Sequence, residues 1–301
     1  MAILDEIGAS IRQLAEGAGP SVVGIGQRWG VGSGIVLEEG KVLTNAHNVR
    51  GDKVTVTFAD GRAVDGNVAG QDVDGDLAVI SVDTGGVPAL PWADDAAAEI
   101  GMAVFALANP GGRGLRVTFG FVSGIERTFR GPRGRRITGS LEHTAPLLPG
   151  ASGGPVLTAA GQLLGINTNR LGEGFYLAIP ADQALRGQAS TLARGESAQP
   201  PRLGVAIAPS HVAKRLRRAV GLPDVDGLLI RDVAEDSPAA RAGIARGDLI
   251  TAAAGHPVRT PDDLFDALHA TPGGTIELNL VRGTDELTTQ VTLGDHGQPD
   301  N

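Results

Sequence analysis

Gly34-Ile35-Val36-Leu37-Glu38-Glu39-Gly40-Lys41-Val42-Leu43-Thr44 is two short apolar runs on either side of a polar turn. Runs of this length, rich in β-branched residues and broken by a turn signal, read as the arms of a β-hairpin. The pattern recurs on the C-terminal side. Val54–Phe58 alternates up to Asp60-Gly61, a turn dipeptide, and Val64–Val68 returns. Further strands are expected at Leu77–Val82, Ala103–Ala108, Val117–Ile125, Leu163–Asn167 and Tyr176–Ile179. The 45 glycines and 18 prolines are about a fifth of the 301 residues, enough to supply many turns. Short strands at this density predict an antiparallel barrel or sandwich.

On the N-terminal side, Ile3, Leu4, Ile7, Ile11 and Leu14 recur at helical spacing until Gly17-Ala18-Gly19-Pro20 ends them, so residues 1–20 read as an amphipathic helix. The β-rich domain then occupies 21–193. Residues 194–201, Arg194-Gly195-Glu196-Ser197-Ala198-Gln199-Pro200-Pro201, are polar and aperiodic, a linker. Residues 202–296 form a second, α+β domain. In it Thr260-Pro261-Asp262-Asp263 starts a helix bearing Leu264 and Leu268, and Ile276–Val281 pairs with Leu287–Leu293 around Gly283-Thr284-Asp285.

Composition excludes several classes. With 26 basic against 34 acidic side chains the net charge is −8, the wrong sign for a protein that lives on nucleic-acid phosphates. The arginines of Arg127–Arg136 are interleaved with glycine and proline and read as a solvated surface loop. No cysteine is present, which removes thiol nucleophiles, Fe–S clusters and cysteine zinc sites. No apolar run approaches the roughly 18 residues that a membrane span needs. The start lacks a basic region and a long apolar stretch, so it does not read as a signal peptide. The expectation is a cytoplasmic chain, or an extracytoplasmic one whose leader has been removed.

Three residues could do chemistry together. Ser152 lies in Gly150-Ala151-Ser152-Gly153-Gly154-Pro155, where flanking glycines permit a tight turn with the hydroxyl exposed and successive amides converging, as an oxyanion hole requires. Serine needs a base. His47, in Thr44-Asn45-Ala46-His47, follows a strand at the point where apolar sequence turns polar. Asp76 heads the apolar run Leu77-Ala78-Val79-Ile80 and suits the carboxylate that orients an imidazole. Asp72 and Asp74 compete with it but do not lead directly into that run. Singly each has a bland reading: a loop serine, a surface histidine, a strand-end aspartate. Jointly they stand in the order His, Asp, Ser, that of the double-barrel serine proteases and not of α/β-hydrolases or subtilisins.

These motifs resemble the HtrA (DegP/DegS) branch of the trypsin-like proteases. Gly32-Ser33-Gly34 and Ala108-Asn109-Pro110 are similar to further elements of that family. Ser237-Pro238-Ala239-Ala240-Arg241-Ala242-Gly243-Ile244 with Gly247-Asp248-Leu249-Ile250 resembles the PDZ domain such proteases carry. The resemblance implies a mainly β fold: a trypsin-like pair of six-stranded antiparallel barrels, then an α+β PDZ domain. It implies His47, Asp76 and Ser152 as the triad and the amides of Gly150 and Ser152 as the oxyanion hole. Pro146, six residues before the nucleophile, falls at the base of the specificity pocket. With no carboxylate there, small aliphatic residues are favoured over Lys or Arg as cleavage sites. The peptide-binding groove would comprise Leu203, Gly204, Val205, Ile207, Leu264 and Leu268, pairing a C-terminal peptide by strand addition. The loop before the nucleophile departs from the family at Thr144, Leu148 and Ala151, where an acid and two asparagines are usual.

The function implied is an ATP-independent endopeptidase acting on unfolded or misfolded polypeptides, with no metal or cofactor. No phosphate-loop motif is present. The alternative is a protease-fold scaffold that captures C-terminal peptides with little or no turnover. Homotrimers are implied by the resemblance, although family trimers use aromatic residues near the N-terminus. Here residues 1–28 hold none, and only Trp29 lies close by.

Overall fold

Ile35 and Val36 are neighbours in one strand, so their side chains leave it in opposite directions, and yet both are buried. That two-sided burial explains why so many strands here are continuous apolar runs. In the computed structural model, which describes residues 2–26, 31–93, 98–130, 136–172, 174–196, 202–271 and 274–293, the strands close into two barrels. The first contains β1 (Val22–Ile25), β2 (Gly32–Glu38), β3 (Lys41–Thr44), β4 (Lys53–Thr57), β5 (Ala63–Asp72) and β6 (Leu77–Ser81), in the order β1-β2-β3-β6-β5-β4. The second contains β7 (Ala103–Ala108), β8 (Arg116–Arg130), β9 (Arg136–His143), β10 (Pro155–Leu157), β11 (Leu163–Gly172) and β12 (Phe175–Pro180), in the order β10-β11-β12-β9-β8-β7. Every pairing within each barrel is antiparallel.

In the strands at the seam, one face fills its own barrel and the other packs between the barrels. Val36, Val42, Ala78 and Ile80 pack inside the first barrel, and Val104, Val122, Val156 and Leu164 inside the second. Their sequence neighbours Ile35, Leu43, Leu77, Val79, Phe105, Leu157 and Leu163 form one common cluster between the barrels. Two helices join that cluster. From α1 (Ala2–Gly17) comes Leu14, and from α2 (Gln183–Ala193) come Leu185, Ala189 and Leu192. The second helix is a feature the strand-centred reading of 21–193 passed over. Its signal is Asp182, whose carboxylate accepts from Leu185 N at 2.9 Å as an N-cap.

Arg127 and Arg130 of the arginine-rich stretch are exposed, as expected, but its described ends are strand and not loop. Arg127 and Arg130 lie within β8 and Arg136 opens β9, while 131–135 fall outside the described residues. Arg127 is drawn in by Glu142, a buried carboxylate to which it donates at 3.0 Å.

The chain divides into two compact units, 1–198 and 199–301; linker residues 197–201 are outside the described set. In the second unit β13 (Val205–Ala208), α3 (Ser210–Ala219), β14 (Leu228–Val233), α4 (Pro238–Arg241), β15 (Leu249–Ala253), β16 (His256–Pro257), α5 (Pro261–His269), β17 (Thr275–Arg282) and β18 (Asp285–Thr292) follow in turn. The sheet runs β13-β14-β15-β17-β18, with β16 paired to β15, so β13 is an edge. The helix start read at Thr260 is a full capping box: its hydroxyl accepts from Asp263 N, and Asp263 accepts from Thr260 N. Among the described residues no helix is long and apolar enough to cross a membrane.

Candidate active site

His47 sits in a single helical turn, Ala46–Asn48, directly after β3, and Asp76 directly precedes β6. Because β3 pairs with β6 in the register Thr44 with Ala78, the two side chains meet. His47 Nδ1 lies 2.9 Å from each Asp76 carboxylate oxygen. Asp76 adopts φ +58°, a left-handed conformation that Asp tolerates better than most residues. Asn45 secures that turn by donating to Asp76 O at 2.9 Å. The carboxylate is 1% exposed and also accepts from His47 N at 3.1 Å and Thr168 Oγ1 at 2.7 Å. With Oδ1 and Oδ2 both accepting, the imidazole proton is directed to Nδ1, and Nε2 is left as the basic nitrogen. The histidine side chain is 35% exposed, open on the side away from Asp76.

Ser152 belongs to the loop before β10. Its hydroxyl donates to Thr168 O at 3.0 Å, so it rests on β11, the strand that also supplies a partner to Asp76. Its carbonyl is clamped to the first barrel by Ser33 N and Asn48 Nδ2, both at 2.9 Å. Ser33 also donates through Oγ to Gly150 O at 2.9 Å. The preceding residues turn tightly: Ala151 N donates to Leu148 O at 3.1 Å across Pro149 and Gly150, with Gly150 at φ +87°. Proline followed by a positive-φ glycine is a type II turn. Among the described residues neither Gly150 N nor Ser152 N donates to a protein acceptor, whereas the neighbouring amides of Ala151, Gly153 and Gly154 all do.

The loop is held despite its unusual residues. Thr144 Oγ1 accepts from Phe121 N at 3.0 Å, and Thr144 N donates to Phe121 O at 3.0 Å. Ala151 is buried and offers no side-chain hydrogen bond. Pro146 is exposed on the wall of a cavity of about 300 Å³, with Leu148 and Ala151 beside it and Ala106, Leu115 and Val117 opposite. Among the described residues these walls take nothing from β11 or β12.

Gly153 has φ +87°, and a Cβ there would meet Ser33 O at 2.0 Å and Thr44 Oγ1 at 2.5 Å. Backbone cannot step aside cheaply, so Gly153→Ala combines left-handed strain with a clash. A loss of roughly 3 kcal/mol or more is expected, read as a lower urea midpoint for the first unit. An unchanged midpoint would contradict this geometry.

His143, at the end of β9, is fully buried, and burial pushes its pKa down to about 4 against the lifting effect of its bond to Asn167. The unfolded chain takes up this proton near pH 6.5, whereas the folded chain resists it until about 4. Stability from this group is therefore complete above pH 6.5 and is lost as pH falls toward 4, by about 3 kcal/mol. The check is the difference in unfolding free energy between wild type and His143→Gln: it should shrink by this amount between pH 7 and 4, and a constant difference would refute the buried neutral state.

In the second unit Leu203, Leu264 and Leu268 are buried in the core, and Val205 and Ile207 are half-buried against it. Gly204 has φ +76°; its carbonyl accepts from Ala234 N and that of Leu203 from Ala239 N. Among the described residues the amides of Leu203 and Gly204 donate to no protein acceptor.

Residues 32–166 match the trypsin-like peptidase domain and residues 229–282 the PDZ domain. The chain is 37% identical over 279 residues to the putative serine protease HhoA of Synechocystis, covering 87% of this chain and 70% of the relative. The chain belongs to the HtrA family of serine endopeptidases. It is also 34% identical to a probable periplasmic DegP-like endoprotease of Halomonas elongata, over 89% of this chain but only 57% of that relative's length. Among solved structures, a serine endoprotease from Yersinia pestis superposes with a TM-score of 0.69 at 28% identity, covering 94% of this chain and 97% of that one. The HtrA-type protease AlgW with tripeptide gives 0.65 at 28% identity, over 96% and 98% of the two chains. Sequence reading missed several residues of this HtrA-family site: Thr168, Asn48, Asn167 and the hydroxyl of Ser33. Ser33 stands in the Gly32-Ser33-Gly34 element, which gave no sign of its bond to Gly150, and the other three stand in no motif that advertises their chemistry.

Proposed function

We propose that this chain is an ATP-independent serine endopeptidase that cuts unfolded or misfolded polypeptides with the triad His47, Asp76 and Ser152. The observation that carries the reading is the Asp76 carboxylate, buried and bonded to His47 Nδ1, with Ser152 anchored beside it through Thr168. Rotation about the Ser152 Cα–Cβ bond moves Oγ from the Thr168 carbonyl toward His47; catalytic hydrogen bonds commonly tighten only once substrate is bound. Oγ then attacks the scissile carbonyl while its proton passes to His47 Nε2. Asp76 stabilises the imidazolium. The oxyanion lies against the free amides of Gly150 and Ser152, each donor worth roughly 3–4 kcal/mol to the transition state. His47 returns the proton to the leaving amine, and the acyl-enzyme is released by water that His47 activates in turn. With Pro146 in place of a carboxylate, a cationic side chain at the cleavage site finds no charge partner, and small aliphatic residues are preferred. The test is a fluorophosphonate label mapped to its residue, together with degradation of unfolded casein without nucleotide.

The second unit supports capture of C-terminal peptides. The edge strand β13 would take the peptide as an added strand along Val205–Ile207, and the free amides of Leu203 and Gly204 would receive its carboxylate. AlgW, a structural relative, was solved with tripeptide. Amidating the peptide's C-terminus removes the charge those amides would receive, and affinity measured by calorimetry is expected to fall on the order of tenfold or more. Equal affinities would exclude carboxylate recognition. A homotrimer follows from the family resemblance, and Ile3 and Leu4 of α1, each more than two-thirds exposed, are apolar surface that assembly would cover. Trp29 lies outside the described residues.

A further inference from the structure

His143 takes no part in the mechanism above, yet it is wholly buried and bonded to Asn167, the residue next to Thr168, which touches both Ser152 and Asp76. Its Nε2 is 2.9 Å from Asn167 Oδ1, and its ring stacks on Tyr176 with centroids 5.8 Å apart. Its Nδ1 is buried without a partner. Which end of the Asn167 carboxamide is oxygen follows from its other contacts. Asn167 Nδ2 reaches Gly154 O at 3.1 Å and Pro155 O at 3.3 Å, and only the amino group can satisfy two carbonyls. Oδ1 therefore faces the histidine, and His143 must carry its proton on Nε2.

Asn167 is the staple of the nucleophile loop. Beyond the two side-chain bonds, its N donates to Gly154 O and its O accepts from Gly153 N, both at 2.8 Å. Four hydrogen bonds from one residue thus hold the segment immediately after Ser152. The next residue along the chain is Thr168, whose carbonyl accepts from Ser152 and whose hydroxyl donates to Asp76.

We propose that His143 is a positioning residue for Ser152: its Nε2–H orients the Asn167 carboxamide, which fixes the backbone after the nucleophile and the placement of Thr168 between Ser152 and Asp76. It touches neither substrate nor reacting atoms and acts through Asn167. This rests on Ser152 being the nucleophile.

The role turns on a donor at one distance from the backbone, and substitutions can isolate it. In His143→Gln the amide nitrogen stands where Nε2 stood. In His143→Asn the donor falls short of Asn167, and in His143→Leu volume is kept but the donor is gone. Each full-length variant would be measured for kcat and KM on a short chromogenic peptide, for the pH profile of kcat/KM, for its rate of fluorophosphonate labelling and for its urea midpoint. Leu and Asn are expected to lower kcat and the labelling rate on the order of tenfold, with KM within about twofold of wild type. Gln is expected to recover kcat to within about threefold. The inflection in the pH profile should stay in place throughout, because His143 exchanges no proton with substrate.

Wild-type kcat in both Leu and Asn would overturn the proposal; should Leu fail to fold, Asn alone decides. Gln as slow as Asn at equal urea midpoints would reduce His143 to packing, and a loss confined to KM would place it in substrate binding. A wild-type label that maps away from Ser152 overturns the nucleophile assignment itself, an outcome separable from all the others.

Discussion

Ser152→Ala is expected to lower kcat on the order of 10⁶-fold, equivalent to about 8 kcal/mol of lost transition-state stabilisation. Without Oγ no acyl-enzyme forms, and His47 and Asp76 have no proton to move. The oxyanion amides remain, so residual catalysis over water persists. The fold should survive, because the links from Ser152 to the first barrel run through its carbonyl, which Ser33 N and Asn48 hold. The lost hydroxyl frees only the Thr168 carbonyl, and the unfolding free energy from urea titration is expected to change by about 1 kcal/mol or less. Casein incubated with the variant should stay intact while the wild type degrades it. Degradation at the wild-type rate would mean that another residue is the nucleophile, or that a contaminating protease was being measured; the absence of labelling at Ser152 in the wild type separates the two.

Asp76→Asn is expected to cost about 10⁴-fold in kcat with little change in KM, through tautomer and charge together. His47 N–H donates to Oδ1, so an asparagine must keep its oxygen there. The amino group then takes the Oδ2 position, 2.9 Å from His47 Nδ1 and facing the Thr168 hydroxyl, which can turn round and accept. An N–H presented to Nδ1 favours the imidazole with its proton on Nε2, and that tautomer cannot accept from Ser152. The carboxylate that would stabilise the imidazolium is also gone. Activity within tenfold of wild type, measured with a chromogenic peptide, would show that Asp76 does not set the tautomer. Asp76→Ala is a poorer test, since it strands His47 N and Thr168 as well.

The hairpin Gly34–Thr44, the strands leading to and from Asp60-Gly61, and the capped helix at Thr260 were legible because each depends on spacing and turn chemistry over a few residues. The order of His47, Asp76 and Ser152 was equally legible, each residue marked by its own neighbours. The helix Gln183–Ala193 escaped a reading tuned to strands, although Asp182 and the spacing of Leu185, Ala189 and Leu192 carried its signal.

The parts of the site that sequence left open are hydrogen bonds between residues far apart in the chain. Thr168 and Asp76 are 92 residues apart, and Ser33 and Gly150 are 117 apart. Nothing in Asn167-Thr168 or in His143 distinguishes them from ordinary strand residues until the second barrel closes and packs against the first. The amino-acid sequence by itself determined the periodicity of burial, the turns and the chemical types available, because these are set by local sterics and by solvent. Only the tertiary structure decided which polar atoms meet. A buried donor or acceptor takes the partner that barrel closure brings within about 3 Å, and that distance depends on the register of twelve strands at once.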